Sequence, residues 1–280
     1  MHEYLRIAKK VITHGIRKKN RTGTDHIGYI GDMAEYYMYE GFPIVTTKYV
    51  PFKMVVGEML GFLRAYNNAA DFRHLGVSVW DKNANENETW LNNRHRRGTD
   101  DLGEIYGVQA RFWKCTDGSH IDQFKRVLSD LMEGVDNRRE IVSHWNPEAL
   151  SRMALPPCHL LYQFGIHGDR LDLSMYQRSC DVPLGVPFNI AGYSWLLHVV
   201  AHLCKLRPGK FTHFMHDIHA YEDQLELLRG QIDRLPYPRP RLRINPEIKT
   251  LEDLETWVTP EDFVLEGYKH HPRIAFPFAT

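Results

Sequence analysis

Cysteine is scarce in this chain: four among 280 residues, at positions 115, 158, 180 and 204. That spacing fits neither a zinc site nor a disulfide scaffold, which excludes a stapled secreted fold and makes a reducing cytoplasm the expected compartment. A run of about 18 apolar residues is missing, so no membrane-spanning helix is expected. Nor does the amino terminus carry the apolar core of a secretory leader. Tyr4, Leu5, Ala8, Val11 and Ile12 recur at helical spacing, interrupted by Lys9 and Lys10 and followed by Arg17, Lys18 and Lys19, the pattern of a surface helix. Neither sign of charge is in excess, with 35 basic against 35 acidic residues. No global field draws the chain to nucleic acid or anionic lipid, and any anion site must be local. Repeats, low-complexity tracts and linkers are missing too. With 43% hydrophobic and 25% charged residues, positions 1–280 read as one globular domain able to bury a large core.

What is present is strongly patterned. Asn20 to Thr24 reads as a turn into a strand around His26 to Ile30, with a hairpin partner near Tyr36 to Tyr39. Pro51 to Arg64 predicts a helix with Met54, Glu58 and Phe62 on one stripe and Val55, Met59 and Leu63 beside it. A carboxylate amid an apolar face should have its pKa raised by lost hydration. Asn83 to Gly103, rich in asparagine and arginine, reads as a long surface loop. Ile121, Phe124, Leu128, Leu131 and Met132 mark a helix stopping near Gly134, and Asn137-Arg138-Arg139 then lead into a strand from Ile141 to Trp145. Leu160 to Ile166 and Leu171 to Tyr176 pattern as a hairpin around Gly168-Asp169, extended by Gln177 to Asp181. Ile190 to Leu203 is apolar nearly all round, which marks a central buried helix.

The chemistry concentrates between Leu155 and Ile190. Cys158 follows Pro156 and Pro157, Arg178 and Ser179 return toward it along the hairpin, and Asn189 is a lone amide in an otherwise apolar turn. A guanidinium beside a cysteine lowers the thiol pKa and can also grip a phosphate, equipment for covalent attack on an electron-poor ring such as a nucleotide base. The bland alternatives are a small buried hydrophobe at Cys158, a structural ion pair between Arg178 and Asp181, and a satisfied core carboxylate at Glu58. His213, His216 and His219 recur every three residues, but no cysteine or carboxylate pair has companion spacing, so no metal is expected.

Arg21-Thr22-Gly23-Thr24, Gly41-Phe42-Pro43, Thr46-Thr47-Lys48, Glu58, Trp80-Asp81, Ile105-Tyr106-Gly107, Arg138-Arg139, Pro157-Cys158-His159, Gln177-Arg178-Ser179, Asn189, Asp217, His219, Tyr221 and Glu266-Gly267-Tyr268 together resemble the thymidylate synthase family, from Tyr4 to Ala279. The resemblance implies an α+β fold in which a large twisted mixed sheet is packed by helices, and a homodimer with the sheets back to back. It implies one-carbon transfer from 5,10-methylenetetrahydrofolate, as co-substrate, to C5 of dUMP. Cys158 would attack C6, with Glu58, Tyr106, His159, Arg178 and Asp181 as the remaining catalytic set. Arg21, Arg178 and Ser179, with Arg138 and Arg139 of the partner subunit, would hold the 5′-phosphate. His219 and Tyr221 would bond the ribose 3′-hydroxyl, while Gln177 and Asn189 would serve the pyrimidine. Val79, Trp80, Leu155, Asp181, Gly185 and Phe188 would hold the pterin, Lys48 would meet the folate's glutamate tail, and Thr280 would close the site. No nucleic acid or membrane partner is implied.

Four departures from the family pattern bear on the product: Gly61 and Ala110 where tryptophan is common, His216 where glycine usually precedes the aspartate, and Thr280 at the apolar end. A wetter lid would favour water over hydride and so a dUMP hydroxymethylase as the alternative reading.

Overall fold

The computed structural model describes residues 1–19 and 24–277. Helix α1, His2–His14, turns Tyr4, Ile7, Ala8 and Val11 inward, all fully buried, while Arg6 and Lys10 reach Asp32 on the neighbouring strand. Leu5 and Ile12 only flank that stripe.

Six strands form the main sheet: β1 Ile16–Lys18, β2 His26–Tyr37, β3 Ile141–Ser143, β4 His159–His167, β5 Arg170–Asp181 and β6 Arg207–Tyr221. They lie in the order β1-β2-β6-β5-β4-β3. Every neighbouring pair is antiparallel except β5 and β6, which run parallel from Arg170 opposite Arg207 to Asp181 opposite His219. Parallel neighbours need a long crossover, and helix α5 supplies it; its range is Gly185–Leu203. Helices α2 Phe52–Leu63, α3 Tyr106–Arg111, α4 Gln123–Met132 and α6 Leu225–Ile232 complete the larger elements. The resulting mixed sheet packed by helices is the expected α+β arrangement. No helix among the described residues is long and apolar enough to cross a membrane.

The core lies between α5 and one sheet face. Trp195, Leu197, Val199 and Val200 on α5 and Leu171, Leu173 and Met175 on β5 are all at most 1% exposed, each contributing about 2 kcal/mol by leaving water. Gly61 of α2 has its place in this packing, because a β-carbon there would lie 2.3 Å from the Phe72 ring. The opposite sheet face stays open. Leu161, Tyr176, Phe214 and Met33 form an apolar row across four strands, each next to the last in register and each 37–42% exposed.

Three expectations need correction. His26 to Tyr39 does not fold into a hairpin: His26–Tyr37 is one strand along β6, and the hairpin-like pairing is with β1. The polar centre stays extended because Asp32 is satisfied by Tyr29 of the same strand and by Arg6 and Lys10 of α1. Asn83 to Gly103 is not a loose loop, since it contains part of helix Asp81–Asn85 and all of Glu88–Leu91 and buries Trp90 and Leu102. Asp100 accepts from Arg73 and Asn85, and the Trp90 indole donates to the Asp101 carbonyl at 2.6 Å. Asn189 sits in the opening turns of α5 rather than in a turn between elements.

Candidate active site

Strand directions alone gather the chemistry at one end of the sheet. β4 is antiparallel to β5 and β5 is parallel to β6, so the start of β4 and the ends of β5 and β6 coincide. Cys158 precedes β4, Arg178 to Asp181 finish β5, His219 to Tyr221 finish β6, and α5 begins beside them with Asn189. A crevice at the carboxyl ends of parallel strands, closed by a helix start, is a common ligand position.

Cys158 is half-buried and firmly framed. Its backbone N–H donates to the Tyr106 hydroxyl at 2.7 Å, and its carbonyl accepts from the Arg178 N–H at 2.9 Å. The Arg178 guanidinium donates to the Pro157 carbonyl at 2.8 Å and the Pro156 carbonyl at 3.0 Å, and lies 5.6 Å from the Trp145 ring centre. The two prolines thus act through their carbonyls, which hold the arginine in place of Asp181. Burial pushes the thiol pKa above its ordinary value, and the Arg178 charge and Tyr106 only partly offset it. The Arg178 charge acts on the thiol in the direction the sequence implies, lowering its pKa, against the larger opposing effect of lost hydration.

Glu58 projects from α2 into an apolar wall, where it accepts a hydrogen bond from the Trp80 indole at 3.1 Å. Burial pushes its pKa up to about 7, as the sequence implied. Phe62 stacks on Tyr106 at 5.0 Å and meets Trp80 edge-on at 5.9 Å, fixing both rings. Asp181 accepts from the Leu184 N–H at 2.9 Å, tying β5 to the start of α5, and burial raises its pKa. Val79 is exposed while Leu155 and Phe188 are half-buried, and a β-carbon at Gly185 would meet nothing closer than 3.6 Å. Lys48 is buried beneath the carboxyl-terminal segment, donating to the Pro183 carbonyl and lying 4.9 Å over Phe276. Burial lowers its pKa to about 8.

A chain of amides runs behind Cys158. Gln177 donates to Asn189 Oδ1 at 3.0 Å and to the Ser179 carbonyl at 2.8 Å, and its own oxygen lies 2.8 Å from His213 Nε2. His159 is buried beside them, and desolvation, followed by the charges of His144 and His213, lowers its pKa to about 3. His144 donates to the His159 carbonyl at 3.0 Å. Of these, His144, Trp145 and His213 were not identified from sequence as site residues. Trp145 and His144 directly follow the apolar strand at 141–143, a signal that was available.

At the far side His219 Nδ1 lies 3.1 Å from Asp217, which this hydrogen bond, together with Lys18, holds down at about 2. Tyr221 packs against His219 with ring centres 5.6 Å apart. Gln224 donates to the Pro277 carbonyl and so seats the carboxyl-terminal segment near this edge. Arg138 and Arg139 are exposed, and the Arg138 carbonyl accepts from Gln163, four residues up β4 from His159 and about 13 Å away at strand spacing. They stand apart from Cys158 within one chain. Arg21 and Thr280 lie outside the described residues. Of the three described departures, the Gly61 space is filled by Phe72, His216 is exposed, and Ala110 is buried in α3. The three histidines do not converge, and no group suited to a metal occurs among the described residues.

A profile of the family described as thymidylate synthase matches residues 2–280. Proteins named thymidylate synthase from Idiomarina loihiensis and Marinomonas sp. are each 47% identical to the chain, and one from Shewanella loihica is 46% identical, over the full length of both sequences in every case. The chain belongs to the thymidylate synthase family.

Proposed function

We propose that the protein methylates dUMP at C5, giving dTMP, with Cys158 as the attacking group. The observation that carries this reading is one half-buried thiol acted on by the Arg178 charge and the Tyr106 hydroxyl, with its backbone N–H held by Tyr106 and the guanidinium held on the Pro157 carbonyl. C5 of uracil is a poor nucleophile until sulfur adds at C6, which pushes the ring electrons onto C5 and O4. Asn189 meets the base edge at O4 and N3, stabilising charge that collects on O4. Glu58, poised near neutrality, exchanges a proton at O4 through water, and Tyr106 attends C5.

Arg21, Arg178 and Ser179 bind the 5′-phosphate, joined by Arg138 and Arg139 of the partner subunit. His219 and Tyr221 select the 3′-hydroxyl. Methylenetetrahydrofolate, when bound, supplies the one-carbon unit and the hydride that completes the methyl group. Val79, Trp80, Leu155, Asp181, Gly185 and Phe188 would hold its pterin, with Lys48 toward the glutamate tail and Thr280 at the closing end. His159 backs the base through Asn189. The hydroxymethylase alternative is not favoured: the relatives carry the synthase name, and the space at Gly61 is filled by the Phe72 ring.

The open apolar row Met33, Phe214, Tyr176 and Leu161 supports a homodimer built sheet against sheet, which would bring the two remote arginines to the neighbouring site. The contiguous core supports reading residues 1–280 as one catalytic domain, and four free thiols suit the cytoplasm. Incubation with dUMP and methylenetetrahydrofolate tests the activity. The expected products are dihydrofolate and a nucleotide heavier by one methylene unit; a hydroxymethyl product without dihydrofolate would overturn the proposal.

A further inference from the structure

One buried group plays no part in that chemistry. His213 stands within β6 with no exposed surface, and burial lowers its pKa to about 3, so it is neutral. Its ring stacks on Phe211 with centres 5.6 Å apart. The contacts around it settle the direction of every neighbouring amide. The Ser179 carbonyl can only accept, so the nitrogen of Gln177 must face it, at 2.8 Å. The same nitrogen reaches Asn189 Oδ1 at 3.0 Å, and Gln177 Oε1 is left facing His213 Nε2 at 2.8 Å. An oxygen there requires the histidine proton on Nε2, and Nδ1, buried without a hydrogen-bond partner among the described residues, is the bare nitrogen. Asn189 is therefore held with its oxygen toward Gln177 and its N–H2 group as the donor end.

We infer that His213 is a positioning residue for pyrimidine choice: through Gln177 it fixes the Asn189 amide so that the site accepts a base with a 4-oxo acceptor over one with a 4-amino donor. The inference rests on the assignment of Asn189 to the base edge made above. Without the His213 donor, Gln177 Oε1 becomes a buried acceptor with no partner. Neither orientation of Gln177 then satisfies both of its ends, the two settings of Asn189 draw closer in energy, and discrimination relaxes.

Equilibrium binding of dUMP and dCMP, measured by calorimetry without folate, tests this on the wild type, His213→Leu and His213→Gln. His213→Leu is expected to reduce the preference for dUMP about tenfold, the scale of one buried hydrogen bond. His213→Gln, whose amide donates at similar reach, is expected to restore it. Equal weakening toward both nucleotides in His213→Leu would mean a merely structural role and overturn the inference. Asn189→Ala separates the two levels: if it leaves the preference intact, the base-edge assignment fails; if it abolishes the preference while His213→Leu does not, only the relay fails. Should His213→Leu not fold, nitrogen-15 NMR of the wild-type imidazole decides. A proton on Nε2 is expected, and one on Nδ1 would overturn the inference.

Discussion

Two carboxylates show how differently this fold treats charge. Asp32, at the junction of α1 and β2, is opposed by burial, yet Arg6, Lys10, the Met33 N–H and the Tyr29 hydroxyl outweigh it and hold the group well below the usual carboxylate range. Glu58, on the cleft wall, has one indole N–H and no cation beside it among the described residues, and burial drives it up to about 7. The first arrangement fixes a charge permanently and secures a helix to a sheet edge. The second keeps a proton available near neutrality. A carboxylate fully paired with cations serves architecture, whereas one left among rings can serve chemistry.

Removing the group that the cleft is built around should have the largest effect. Cys158→Ala is expected to reduce turnover to background while dUMP still binds, read by product assay and calorimetry. Glu58→Gln comes next, with turnover falling about 10²- to 10⁴-fold, the usual range for a lost proton shuttle. The same variant sharpens the contrast in stability. Because the folded pKa of Glu58 lies above the ordinary 4.5, the folded state holds an extra proton between pH 4.5 and about 7, so wild-type stability falls as pH rises through that window. Glu58→Gln should escape this loss, gaining about 3 kcal/mol on the wild type by pH 8 relative to pH 4 in urea unfolding.

Asp32→Asn should do the reverse: little change in turnover per folded molecule, but a loss of about 2 kcal/mol of stability at pH 7. Its folded pKa is depressed, so its contribution is present above pH 3.8 and disappears as pH falls below it. Unfolding curves at pH 7 and 3 check the sign. A smaller effect is expected for Arg178→Lys, which keeps the charge but loses the two-carbonyl fork. Alkylation of Cys158 should slow severalfold at pH 8, measured by mass spectrometry.

Much of this was legible in the sequence, and the limits are instructive. Helices α1, α2 and α5 and the β4–β5 hairpin follow from apolar periodicity, since each buries a continuous face. Glu58 could be found because its stripe is apolar for a full three turns. Asn83 to Gly103 could not be resolved, because three buried residues, Ala84, Trp90 and Leu102, anchor a segment whose average composition is polar. The long β2 strand escaped for a related reason: the cations that satisfy Asp32 come from α1. The desolvation of the thiol was hidden as well, since spacing reveals a nearby arginine but not the depth of burial. His213 was legible only as one of three histidines spaced every three residues with no metal expected, and its contact with Gln177 needed the folded strands.

Covalent attack by Cys158 is the claim on which the rest depends. The direct measurement is the mass of the Cys158 peptide after the protein is incubated with the 5-fluoro analogue of dUMP and methylenetetrahydrofolate, then denatured and digested. A C5 fluorine cannot depart as the C5 proton does, so the adduct should persist, and a Cys158 peptide carrying the nucleotide is expected. An unmodified peptide, from protein that turns over dUMP under the same conditions, would contradict it.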